Sequence, residues 1–96
     1  MNYYFILFKV KVEVYFHILR KVHMTKDEVL KIFGENVRKQ RENMNITIKE
    51  LSQKTKIREQ YLIKIENGSA VNLPLSYVFI LSEGLTTKPH ILCFGI

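Results

Sequence analysis

Apolar residues follow two different rhythms along this chain. Between Phe8 and Tyr15 they alternate strictly, with Val10, Val12 and Val14 on one face and Lys9, Lys11 and Glu13 on the other. That is the period of a strand, in β-branched and aromatic residues that favour one. From Thr25 onward the period lengthens. Val29, Leu30, Phe33, Val37 and Met44 recur near one face at helical spacing, with Ile32 beside them. Thr25-Lys-Asp-Glu28 opens this helix as a capping box, with Asp27 and Glu28 at the positive end of its dipole. Gly34 in mid-helix costs about 1 kcal/mol relative to Ala, so another helix is predicted to cross closely there. Asn45 is placed to end the helix in the left-handed conformation.

The stretch 47–68, TIKELSQKTKIREQYLIKIENG, organises the rest. It predicts two short helices joined by a tight turn. Thr47 and Glu50 form a second capping box. Leu51, Ile57, Leu62 and Ile65 are the apolar set, Ser52 is small where the second helix crosses, and Gly68 is the stop. The second helix is predicted over about 58–67. Further on, Leu73-Pro74 starts a fourth helix, with Pro at its first position and Leu75, Val78, Phe79 and Leu81 as its apolar residues. Gly84-Leu85 closes it, and Lys88-Pro89 begins a last short helix containing Ile91, Leu92 and Phe94. The expectation is an all-α, five-helix domain over residues 25–96. An extension, residues 1–24, precedes it.

A two-helix unit of this plan is the DNA-binding helix-turn-helix, whose second helix enters the major groove. An ordered set of residues makes the likeness more specific. It comprises Phe33-Gly34-Glu35-Asn36-Val37-Arg38, Arg41, Thr47, Glu50-Leu51-Ser52, Ile57 and Ile65-Glu66-Asn67-Gly68, and more weakly residues 75–85 and Lys88-Pro89. With these the chain resembles the Cro/phage-repressor (xenobiotic-response-element) type of helix-turn-helix, and the fold so implied is lambda-repressor-like. The resemblance implies an internal ion pair between Arg41 and Glu66, holding the first helix against the recognition helix. It implies base reading by Glu59, Gln60 and Lys64, with Tyr61 and Ile63 more oblique, and phosphate contacts from Thr47, Lys49, Lys56, Arg58, Asn67 and Ser69. The residue types suit that work: Gln pairs in bidentate fashion with adenine, Lys donates to guanine, and Glu accepts from cytosine.

The chain also departs from the family's usual pattern. Ile48 stands where a DNA-touching Gln is usual, Lys56 where the turn often has Gly, and Arg58 where Ser or Thr usually caps the recognition helix.

Composition narrows the partners. Net charge is +6, which suits a polyanion such as nucleic acid. Residues 25–68 hold ten Lys/Arg against seven Asp/Glu, a modest excess that supports the motif without carrying it. Cys93 is the only cysteine, so an internal disulfide is excluded, and a small core residue in a reducing cytoplasm is the expectation. The uncharged run 2–8 is far too short to span a membrane, which takes about 20 residues, and no basic region precedes it as in a signal peptide. His17, His23 and His90 lack metal-ligand spacing, and no phosphate loop or activated nucleophile is present. No enzyme activity and no cofactor are expected.

The sequence reading is therefore a small transcriptional regulator, repressor-like, that binds double-stranded DNA as a homodimer and acts by occupying its operator. The dimer contact is expected from the tail 91–96, where Phe94 and Ile96 are candidates either for a small exposed apolar patch or for simple core packing, or from the strand 8–15. The extension has a second reading as an over-extended start, since Met24 directly precedes the first capping box. The rival function is a protein-interaction module such as an antitoxin, in which a protein is the main partner and DNA binding is secondary or lost.

Overall fold

Thr25 opens the first helix as its capping box requires, its hydroxyl accepting from the Glu28 amide at 3.1 Å. The computed structural model describes residues 24–96, so the alternating segment 8–15 lies outside them, as do His17 and His23. Among the described residues the chain is entirely helical: α1 (Lys26–Asn43), α2 (Ile48–Thr55), α3 (Glu59–Glu66), α4 (Leu75–Gly84) and α5 (Pro89–Leu92).

The helix ends obey local chemistry. α1 turns off through Asn45, left-handed at φ 56°. Thr47 then begins α2 with a complete capping box: its hydroxyl accepts from the Glu50 amide at 3.1 Å, and its own amide donates to Glu50 Oε1 at 3.2 Å. α2 ends at Lys56, held at φ 63° with its amide donating to the Ser52 carbonyl. A side chain in that conformation costs roughly 1–2 kcal/mol. Ser52 does more than stay small, because its hydroxyl donates to the Ile57 carbonyl at 2.6 Å and so ties the turn to α2. At the start of α4, Pro74 is one place earlier than expected. It is the cap and Leu75 is the first helical residue. The left-handed residue after α4 is Thr86, at φ 52°.

The core sits between α1, α2 and α3, closed by α4 and α5. Phe33, Val37, Leu51, Ile57, Leu62, Ile65, Ala70, Leu81, Leu85 and Leu92 form one buried cluster, with Met44, Ile46, Ile48, Cys93 and Ile96 packed against it. Gly34 lies where α1 meets the end of α3. A Cβ there would collide with the Ile65 carbonyl oxygen and stand 2.8 Å from that of Glu66, which is why glycine is tolerated in mid-helix. Gly68 takes φ 76° directly after the α3 cap and also lies against the Lys31 backbone, so conformation and space both demand it.

Leu75 and Phe79 do not serve the core: they are 74% and 56% exposed, while Leu81 and Leu85 fill it. The cause is composition, since α4 is apolar almost all round and only one of its sides meets the other helices. In the tail, Ile96 packs inward while Phe94 stays out, at 77% exposure, with Ile91 also exposed. Asn36, on α1, holds that tail by donating from Nδ2 to the carbonyls of Leu92 and Phe94, each at 2.8 Å.

Candidate nucleic-acid interface

α3 is short, and its inner face is committed. Leu62 and Ile65 are fully enclosed and Glu66 is 3% exposed as a side chain. Helical geometry then turns Glu59, Gln60, Ile63, Lys64 and Asn67 outward, and all five are exposed. Tyr61 leaves that set. Its ring is half-buried, edge-on to Tyr77 of α4 with 5.5 Å between centroids, so it helps anchor α3. Ile63, the other oblique position, is 47% exposed and flanks the outward face, whose middle is held by Gln60 and Lys64.

Arg58, Gln60, Tyr61 and Lys64 border one shallow open depression, which brings the expected base readers Gln60 and Lys64 and the oblique Tyr61 together with one expected phosphate contact. Arg58 caps α3 through its backbone only, with no side-chain hydrogen bond to the first-turn amides. The Tyr61 amide donates to the Arg58 carbonyl at 3.0 Å, which leaves the amides of Glu59 and Gln60 to face an anion, with the helix dipole behind them. Lys49, Lys56 and Ser69 are exposed as well. Ser69 is partly engaged, its hydroxyl donating to the Lys64 carbonyl at 3.3 Å. Thr47 is fully engaged, because its hydroxyl and its amide both belong to the capping box with Glu50. Ile48 packs on the core, so the position where the family has a DNA-touching Gln contributes packing here.

The orientation of α3 is set by an ion pair at its C-terminal end. Arg41 Nε donates to Glu66 Oε2 at 2.7 Å and Nη2 to Oε1 at 3.0 Å, while Nη1 donates to the Ile46 carbonyl at 3.0 Å. One guanidinium thereby joins α1, α3 and the turn before α2. The hydrogen bond to Glu66 raises the Arg41 pKa above its ordinary value, burial opposes the rise, and the charges of Glu66 and Glu42 add to it. A second arginine was not assigned a role from the sequence: Arg38 Nε lies 3.3 Å from Glu66 Oε1, and its Nη2 donates to Asn67 Oδ1 at 3.1 Å. Its spacing three residues before Arg41, on the same side of α1, was the available signal.

Among the described residues no cluster of His, Cys, Asp and Glu is placed to hold a metal ion, and no helix is long and apolar enough to cross a membrane.

Comparison with known proteins agrees with this arrangement. Residues 37–80 match the family described as "Helix-turn-helix domain". The fold is similar to the crystal structure of the restriction-modification controller protein C.AhdI from Aeromonas hydrophila, at 24% identity and a TM-score of 0.62, covering 66% of this chain and 94% of that one. No curated protein matches the chain.

Proposed function

We infer that the chain carries a helix-turn-helix domain of the Cro/phage-repressor type, binds duplex DNA sequence-specifically and regulates transcription by occupying an operator; the match of residues 37–80 to a helix-turn-helix family and the similarity of the fold support this reading. One observation carries this reading. The outward face of α3 is free of packing duties and bears Gln60, Ile63 and Lys64, while its inward face is pinned to α1 through Glu66. A helix so presented meets base edges in the major groove. Gln60 suits adenine, Lys64 suits guanine, Glu59 suits the cytosine amino group, and Ile63 suits the thymine methyl group. Lys49, Lys56 and Arg58 supply charge toward the phosphates, with Asn67 and Ser69 as neutral donors, and these contacts set register and orientation. Thr47 acts as the cap of α2, a service to the same surface. Such a regulator works in the cytoplasm, and the similarity to a restriction-modification controller makes control of a neighbouring gene the favoured setting.

The active species is a homodimer. α4 exposes Leu75 and Phe79 on one side, and Val71 just before it is 53% exposed. A helix apolar on its outer side calls for a cover, and a chain of this size gains from one. This supports a two-fold contact at α4, and Phe94 of the tail adds a further exposed apolar residue. It is also the one feature that favours a protein partner, and a second copy is the simplest.

Single substitutions separate base reading from phosphate contact. Gln60→Ala and Lys64→Ala are each expected to relax preference at particular base pairs by about 1–3 kcal/mol, whereas Lys49→Ala should weaken all sequences alike. Affinities measured on a panel of single-base operator variants check this. A uniform loss from all three substitutions contradicts the assignment of Gln60 and Lys64 to bases.

A further inference from the structure

We propose that Arg38 is a positioning residue, which fixes the Asn67 side chain so that its amide donates to a backbone phosphate. The proposal rests on the DNA-binding reading and adds a role to a residue on α1. A guanidinium has only donors. Its Nη2 lies 3.1 Å from the Asn67 carboxamide, so that group must turn its oxygen toward Arg38. The NH2 is then forced to the opposite side, where it has no acceptor among the described residues and Asn67 is exposed. Arg38 is itself steadied at the other prong by Glu66 Oε1, 3.3 Å from its Nε. The chain Glu66–Arg38–Asn67 thus runs from a buried carboxylate to an outward donor at the C-terminal end of α3.

The arrangement matters because an exposed carboxamide left alone presents its oxygen about as often as its nitrogen. An oxygen facing a phosphate repels it. Holding one orientation before binding avoids that loss and removes the ordering cost from the binding step. Lys64 and Arg58 need no such device, since every face of a cation suits an anion. Asn67 does.

The test uses the full chain on an operator it binds, with four variants: R38K, N67A, the double variant R38K/N67A, and N67D. R38K keeps the charge and loses the fork that reaches both Glu66 and Asn67. N67D still accepts from Arg38, and so folds, but offers no donor. R38K and N67A are each expected to weaken every sequence alike by about tenfold, as for one lost hydrogen bond to a charged group, and N67D by more, since its carboxylate faces the phosphate. The double variant should be no weaker than either R38K or N67A. A single neutral methylphosphonate, walked along the operator backbone, supplies a readout that mere loss of stability does not move. One phosphate position should weaken the wild type when neutralised and leave R38K and N67A unaffected. Additive losses, wild-type affinity in R38K or N67D, or the wild type's full methylphosphonate pattern in R38K would each overturn the proposal. If the wild type binds no duplex at all, the DNA-binding reading itself falls and this proposal falls with it.

Discussion

Arg41→Ala is expected to destabilise the domain by roughly 3 kcal/mol, toward the lower end of the 3–5 kcal/mol typical for breaking a buried ion pair from one side. The substitution removes three hydrogen bonds, two to Glu66 and one to the Ile46 carbonyl. Glu66 is left enclosed with a charge and a single partner, Arg38, whose own side chain is 44% exposed. That remaining contact is why the lower end is expected. In a domain of this size, each kcal/mol moves the melting temperature by about 4–8 °C, so the drop should exceed 10 °C. Glu66→Gln should recover part of the loss in the Arg41→Ala background, because a neutral amide is cheaper to bury than an unpaired carboxylate, while in the wild type it should destabilise. Thermal melts across this double-mutant cycle give the coupling directly. Independent, additive effects would mean that the pair does not hold α1 to α3.

The second large effect concerns symmetry. One recognition helix covers only a few base pairs. A two-fold dimer places two of them in successive major grooves, about 34 Å apart, and so requires half-sites separated by one helical turn. Inserting about five base pairs between half-sites is expected to abolish tight binding, because the second helix then faces the wrong side of the duplex. The proposed contact at α4 makes this specific. Phe79→Glu, which puts a charge on the exposed apolar side of α4, should yield a monomer by sedimentation and a binding constant indifferent to the insertion. A wild type that is monomeric and equally indifferent would remove the dimer from the account.

Much of this structure was legible in the chain because it depends on local rules. Thr25 and Thr47 announce helix starts through a hydroxyl and a glutamate three places on, and Gly34 and Gly68 mark a close crossing and a left-handed stop. The Arg41–Glu66 pair came from the family pattern. Other features depend on which way a helix faces once packed, and periodicity in a helix apolar all round does not decide that. Leu75 and Phe79 therefore read in the sequence simply as apolar residues beside Leu81, and only the packing separates them from the core. Tyr61 and Ile63 both looked oblique to the groove and parted for a related reason: a tyrosine at an edge turns inward when another ring is there to receive it, and Tyr77 is sixteen residues away in sequence. The Arg38–Asn67 and Asn36–tail contacts join residues far apart in the chain, and no local signal names such partners. Residue type offered the candidates for base reading, and the fold decided which of them share an outward face.

The most direct measurement is selection of binding sites from a pool of random duplex DNA by the full chain, followed by sequencing of the retained fraction. The account predicts enrichment of an inverted repeat with half-sites about one helical turn apart, whose preferred bases shift when Gln60 or Lys64 is replaced. A retained pool no different in sequence from the input would contradict sequence-specific binding and with it the central claim.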